Sequence, residues 1–252
     1  MTRNWSYTYA SCAGASHLKQ GLGKDDVCRA FLANESKNIF CGIVCDGAGS
    51  AKFGGVGAWL TATIFSRNCK NFYKENVNLP SDEIVWHWID EVRDTIDKLA
   101  NDQLLELSDF ATTLILTISD GEHTLIGHIG DGAVVAHRNN KWHCLSWPEH
   151  GEYASTTRFI TQNTTPELRI FRTIEPIDAV LLFSDGLERL ALDFTKKEPF
   201  NPFLDKMLQP LNDQKECGHL TDLSKALQTY LNSEKINSRT DDDKTLIIAR
   251  CI

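Results

Sequence analysis

Aspartates in this 252-residue chain gather where apolar runs begin or end. "IVCDGAG" sets Asp46 after an apolar run and before Gly47. "GHIGDGAVV" sets Asp131 between glycines at the junction of two strand-like runs, and "AVLLFSDGLERL" sets Asp185 after a strongly apolar run. "GLGKDDVCRAF" places Asp25 and Asp26 just before an early strand, and "SRTDDDKTLIIAR" places Asp241, Asp242 and Asp243 just before the last. Any one Asp-Gly pair also reads as a turn, and "SDGEH" at 119–123, which joins two strand-like runs directly, reads as that alone. Asp46 and Asp185, by contrast, emerge from apolar strands at one edge of a sheet. Carboxylates collected there repel one another and raise each other's pKa unless cations sit among them. Oxygen-only ligand sets suit hard ions such as Mg²⁺ or Mn²⁺. Glycine after the aspartate leaves room for a backbone carbonyl and for water.

Competing motifs fail by spacing. "GAGSAKFGGVG" starts like a dinucleotide loop but has Lys52 at the sixth position, and as a phosphate loop it carries Gly55 where lysine is required. Neither G-x-S-x-G nor H-E-x-x-H occurs, and the eight histidines show no metal-ligand spacing. His128 and His137 lie in strand-like runs and read as sheet residues.

The elements that must position these carboxylates are legible in outline. Short β-rich runs recur, among them "WSYTYAS", "VCRAFLA", "IFCGIVC", "TTLILTIS", "AVLLFS" and "KTLIIAR", and "SDGEH" and "RNNK" join neighbours as hairpins. Consecutive hairpins imply antiparallel sheet. A helix is expected over 81–107, with Ser81 as N-cap, Asp82 and Glu83 in its first turn, and Val85, Ile89, Val92, Ile96 and Leu99 on one face. A second is expected over 54–75 with a stripe of Val56, Trp59, Leu60 and Ile64, and a third over 220–232. The weakly patterned stretch 193–219 reads as a variable insertion in a single domain, 1–252.

Composition narrows the classes. With 42% hydrophobic residues the chain can bury a sizeable core, and its net charge of -8 argues against a nucleic-acid partner. The N-terminus has no apolar signal region and no window approaches ~18 apolar residues, so a soluble protein with no membrane partner is expected. Eight cysteines without a C-x-x-C pair read as structural thiols in the cytoplasm.

Taken in order, "YTYASCAGASHLKQGLGKDDVC", "GIVCDGAGS", "ATTLILTI", "GHIGDGAVV", "LLFSDGLERLA" and "DDDKTLIIA" resemble the motifs of the PP2C family of metal-dependent protein phosphatases, in its bacterial-type form. "GEYASTTRFIT" at 151–161 also looks like a segment of bacterial members. The resemblance implies an α+β fold, a four-layer α/β/β/α sandwich with two antiparallel sheets face to face and helices outside. It implies a serine/threonine phosphatase with two Mn²⁺ or Mg²⁺ ions about 3.5–4 Å apart and a bridging hydroxide that attacks phosphorus in line. Asp46 matches the bridging carboxylate and Gly47 a carbonyl ligand, Asp185 and Asp242 match ligands of the other ion, and Asp26 acts through water. Asp131 matches the ligand of a third, weaker ion. Asp25 falls on a less defined position, and Asp241 and Asp243 read as turn and solvent residues.

Two family features are missing. Ala48 stands where many eukaryotic members have a histidine general acid, leaving a metal-bound water or a side chain such as His17. No phosphate-gripping arginine precedes the first acidic motif, leaving Lys19 or Lys24 as point charges. No long flap is expected between Asp131 and Asp185. The implied partner is a phosphorylated protein, the target of a Ser/Thr kinase. A regulatory domain that binds a phosphorylated partner without turnover, and a phosphohydrolase of small phosphoesters, are the alternatives.

Overall fold

The computed structural model describes residues 3–19, 21, 23–34, 39–149, 157–162 and 164–252. The elements run β1 (Trp5–Cys12), α1 (Ala15–Lys19), β2 (Val27–Asn34), β3 (Ile39–Cys45), α2 (Gly54–Glu75), α3 (Asp82–Asp102), β4 (Leu114–Ser119), β5 (Thr124–Ile129), β6 (Ala133–Arg138), β7 (Lys141–Ser146), β8 (Arg169–Thr173) and β9 (Ala179–Phe183). They continue through α4 (Glu188–Ala191), β10 (Leu192–Asp193), β11 (Glu198–Pro199), α5 (Asn201–Asn212), β12 (Gly218–His219), α6 (Thr221–Leu231), α7 (Glu234–Asn237) and β13 (Lys244–Cys251). Six strands form one sheet in the order β12-β1-β13-β9-β6-β7 and five form another in the order β2-β3-β4-β5-β8. Apart from the short parallel pairing of β1 with β12, both sheets are antiparallel.

The central strands are apolar on both faces because each face meets a different layer. In β3, Phe40 and Val44 point between the sheets, where they join Ile115, Val180, Leu182 and Ile247. The alternate residues Cys41, Ile43 and Cys45 face the layer of α2 and α3. In β9, Leu181 and Phe183 turn outward to α5 and α6 while Val180 and Leu182 turn inward. Three stacked apolar layers therefore make the four-layer α/β/β/α sandwich.

Helix α3 follows its expected stripe, with Val85, Ile89, Val92 and Ile96 buried and Ser81 Oγ accepting from Ile84 N at 3.4 Å. It stops at Asp102 rather than 107, ahead of Leu104 in the left-handed region at φ 56°. Half of the expected stripe of α2 is corrected: Ile64 is buried and Leu60 packs against the core, but Val56 and Trp59 are exposed, and the buried face is completed by Gly57, Ala58, Thr61, Ala62, Phe65 and Cys69. Small residues win there because the helix comes close to backbone. A Cβ on Gly57 would stand 2.1 Å from the Phe110 carbonyl oxygen. The stretch 193–219 holds α5, whose Phe203, Leu204, Met207, Leu208 and Leu211 are buried against the six-stranded sheet. Asp120 caps the "SDGEH" turn, accepting from Glu122 N at 2.8 Å and His123 N at 2.6 Å. Asn139 and Asn140 of "RNNK" take positive φ of 50° and 59°, as a type I′ hairpin turn requires. All eight cysteines are free, and no helix among the described residues is long and apolar enough to cross a membrane.

Replacing Gly57 with alanine tests the approach of α2 to the 107–110 turn. The overpacking should cost about 1–3 kcal/mol, read as a lower urea midpoint at unchanged m-value. An unchanged midpoint would mean that the helix moves away without cost.

Candidate metal centre and active site

Both sheets deliver carboxylates to one end of the sandwich. Asp46 follows β3 of the five-stranded sheet; Asp185 and Asp242 flank β9 and β13 of the six-stranded sheet. Asp131 sits where the chain crosses between sheets, from β5 to β6. Gly130 makes that crossing at φ 113°, a conformation that suits glycine. Asp46, Gly47, Asp131, Asp185 and Asp242 line one cleft of about 380 Å³ together with Ser16, His17, Thr113 and Thr157. Carboxylate oxygens of Asp46, Asp131 and Asp185 lie within 4.8 Å of one another.

The backbone around Asp46 is fixed by the start of β4. Asp46 N donates to Thr113 Oγ1 at 2.9 Å, and its carbonyl accepts from Thr113 N at 2.8 Å and Thr112 Oγ1 at 3.0 Å. Thr157 Oγ1 donates to Asp131 Oδ2 at 2.5 Å. Asp26 lies behind the cleft, 1% exposed, with Oδ2 accepting from Ser184 Oγ at 2.7 Å and Thr245 Oγ1 at 2.6 Å. Its Oδ1 is buried with no partner.

Electrostatics make this arrangement costly without counter-charge. Removal from solvent, then the charges of Asp26, Asp185, Asp131 and Asp242, hold the Asp46 carboxyl well above the usual carboxylate range. Burial followed by Asp242 and Asp131 pushes Asp185 up to about 8. Burial raises Asp26 to about 6 against the opposing hydroxyl donors of Thr245 and Ser184. Among the described lining residues the only nitrogen-bearing side chain is His17, so the chain supplies no ammonium or guanidinium to balance the cluster. An all-oxygen donor set, mutual repulsion and the unpartnered Asp26 Oδ1 together fit hard divalent cations.

A family model described as Protein phosphatase 2C matches residues 13–232. The chain belongs to the protein phosphatase 2C family. Serine/threonine-protein phosphatase 3 of Escherichia coli (strain K12) is 32% identical over 253 residues, covering 98% of each chain. The S. agalactiae serine/threonine phosphatase structure matches with a TM-score of 0.64 at 17% identity, over 98% of this chain and 99% of that one. The catalytic domain of the serine/threonine protein phosphatase PstP, in complex with two manganese ions, matches with a TM-score of 0.65 at 14% identity over 100% of both. At such identities the structural likeness establishes the fold.

Within this PP2C-type site several sequence readings need revision. Asp243 is not a solvent residue: it is 3% exposed and works as a brace. Its Oδ1 accepts from Gly14 N at 2.7 Å and meets His17 Nδ1 at 3.0 Å, while Oδ2 accepts from Asp25 N at 2.6 Å and Asp26 N at 3.2 Å. One carboxylate thus ties the turn after β1, helix α1 and the segment before β2 to the start of β13. Lys19 ends α1 and Lys24 donates to Ser11 Oγ at 2.9 Å and the Asp26 carbonyl at 2.8 Å, and neither lines the cleft. The glycines after Asp46 and Asp185 answer to packing of backbone on backbone. A Cβ on Gly47 would lie 2.3 Å from the Gly54 carbonyl carbon, and one on Gly186 would lie 1.9 Å from the Asp243 oxygen. The connection from β7 to β8 does reach the cleft, through Thr157 and Phe159, and Arg93 Nη1 anchors it by donating to the Ile160 carbonyl at 2.6 Å. Residues 151–156 of "GEYASTTRFIT" lie outside the described residues.

Two outcomes follow. Asp185 binds its proton more tightly folded than unfolded, so its stabilising contribution is full below about pH 4 and is lost as pH rises through about 8, with Asp26 adding to the loss near 6. The melting temperature in EDTA should therefore fall between about pH 5 and 8, and Mn²⁺ should restore it; a flat or rising profile in EDTA would contradict the charge assignment. Asp243→Asn puts an amide donor against backbone donors and should weaken Mn²⁺ binding about 10–100-fold with the circular dichroism spectrum unchanged. Full Mn²⁺ affinity in that variant would reduce Asp243 to ordinary packing.

Proposed function

We propose that the chain, as one phosphatase domain spanning 1–252, hydrolyses phosphoserine and phosphothreonine on proteins with Mn²⁺ or Mg²⁺. One observation carries this: five aspartates line a cleft whose described walls hold no lysine or arginine. A dianionic phosphoryl group enters such a cleft only when bound cations offset the negative charge of its walls. Asp46 would bridge two ions, with the Gly47 carbonyl on one and Asp185 and Asp242 on the other; Asp26 would act through water, and Asp131 would recruit a third, weaker ion. The metal pair, when bound, supplies Lewis acidity: it neutralises the phosphoryl oxygens and makes water a nucleophile at neutral pH.

The chain's own contribution is positioning. Thr112 and Thr113 hold the Asp46 backbone, Thr157 orients Asp131, and Ser184 and Thr245 keep one Asp26 oxygen occupied so that the other stays free. Asp243 fixes the His17 ring at Nδ1, and a Cβ on Gly49 would lie 3.8 Å from His17 Nε2, so the free nitrogen faces the loop after Asp46. In the imidazolium form, with the Nδ1 proton given to Asp243, that nitrogen is the donor we assign to the phosphoryl or leaving-group oxygen in place of the arginine and histidine the sequence lacks. The bacterial serine/threonine phosphatase relatives support a phosphoprotein substrate made by a Ser/Thr kinase. Eight free cysteines support a reducing, cytoplasmic setting.

Hydrolysis of a phosphothreonine peptide with Mn²⁺, Mg²⁺ or EDTA, beside Asp46→Asn, tests the reading. Turnover should need Mn²⁺ or Mg²⁺, stop in EDTA and fall about 10³-fold in the variant, equivalent to about 4 kcal/mol of transition-state stabilisation. Mn²⁺ binding without turnover would instead indicate a phosphoprotein-binding domain, and turnover of small esters alone a small-molecule phosphohydrolase.

A further inference from the structure

Positive charge withheld from the cleft collects on the other side of the 24–26 segment. There β1 of one sheet and the edge strand β2 of the other meet helix α6, and a depression of about 320 Å³ opens between them. Lys24, Arg29 and Lys225 line it together with Tyr9, Ser11 and Ser224, and no lining residue is acidic. Such a concentration is notable in a chain of net charge -8.

These cations are incompletely used. Lys24 spends two of its three donors, on Ser11 Oγ and the Asp26 carbonyl. Arg29 Nη1 donates to the Cys28 carbonyl at 3.0 Å, which leaves most of the guanidinium fork open. Neither pairs with a carboxylate among the described residues. Lys225 has only an exposed pair with Asp222 at 3.0 Å, which solvent screens. Hydroxyls complete the lining, and Ser224 Oγ is held by Thr8 Oγ1 at 2.9 Å and His219 Nε2 at 2.9 Å. Like charges on one depression with only that exposed counter-ion repel one another, and a visiting anion relieves the repulsion.

We propose that this depression is a second anion site that takes a phosphate-class dianion, either free inorganic phosphate or a phosphate borne by a protein segment. A guanidinium fork and two ammonium groups lining one depression suit a tetrahedral oxyanion. The site is coupled to the acidic cleft through short contacts. Lys24 holds the Asp26 carbonyl, and Ser11 Oγ lies 2.9 Å from Thr245 Oγ1, whose single hydroxyl proton goes to the Asp26 carboxylate. Binding of the anion stands independently of the phosphatase reading; its effect on turnover rests on that reading.

Metal-free protein separates the two sites, because without cations the acidic cleft repels phosphate. Titration of inorganic phosphate into EDTA-treated full-length chain, followed by NMR, should show saturable binding that weakens at least tenfold in Arg29→Gln/Lys225→Gln and weakens with added salt. No saturable binding, or equal binding by the double variant, would overturn the site. With Mn²⁺ present, a doubly phosphorylated peptide should show a lower KM than its singly phosphorylated counterpart in wild type only, while turnover of p-nitrophenyl phosphate stays the same in the double variant. A lower KM for the doubly phosphorylated peptide in wild type identifies the protein-borne phosphate as ligand; binding of free phosphate without it identifies the free anion. If no substrate is turned over but phosphate binding is still lost in the double variant, the phosphatase reading fails and the anion site stands.

Discussion

Repulsion among recessed carboxylates is the constraint that organises this molecule. Asp46, Asp185 and Asp26 are held close together away from bulk water, and all three carboxyls are pushed upward in pKa, first by burial and then by the charges of neighbouring aspartates. A flexible loop would relax that repulsion by spreading the side chains apart. The chain prevents relaxation by placing the aspartates at strand ends, fixing the Asp46 backbone with threonine hydroxyls and the Asp26 carboxylate with serine and threonine hydroxyls. The strain is held so that cations, once present, meet a set of oxygens already in place.

The same constraint explains why the sandwich needs two well-packed sheets. Asp46 rides on β3 of one sheet and Asp185 on β9 of the other, so their separation is set by the layer in which Phe40 and Val44 meet Val180 and Leu182. Core density therefore fixes the geometry of the site, because close-packed interiors transmit displacement. Asp243 extends this locking to the N-terminal segments: its two oxygens engage backbone amides of Gly14, Asp25 and Asp26 and the His17 ring. Four neighbours on one carboxylate leave the segment carrying Asp26 little freedom.

The strands and the clustering of aspartates were legible because both depend on local pattern. Apolar runs of β3 and β9 ending in aspartate announce a buried strand that delivers a carboxylate, and five aspartate-bearing motifs in order indicate the family. What was not legible depends on direction and approach. Nothing local distinguishes Asp242, which faces the cleft, from Asp243, which turns inward to brace it; the difference arises only when β13 is registered against β1 and β9. Val56 and Trp59 of α2 look like a core stripe, yet the helix buries Gly57 and Ala58 because it must pass within contact of the Phe110 carbonyl. Lys24 looked like a phosphate ligand because it adjoins Asp25 and Asp26, but the chain reverses between backbone and side chain there. Its ammonium takes the Asp26 carbonyl on one side while the Asp26 carboxylate points to the other.

That reversal has a consequence for control. An arginine in the cleft would neutralise one carboxylate permanently and lower the need for metal. Among the described residues the cleft has none, and the nearby lysine is turned outward. Charge balance at the reacting phosphate is therefore left to ions drawn from solution, so catalytic competence is set by ion supply and not by the fold alone. The separation of signs also means that the 24–26 segment feels opposite fields on its two faces. Small changes in what occupies either face shift the balance on Asp26, whose Oδ1 is the one buried carboxylate oxygen of the described site without a partner.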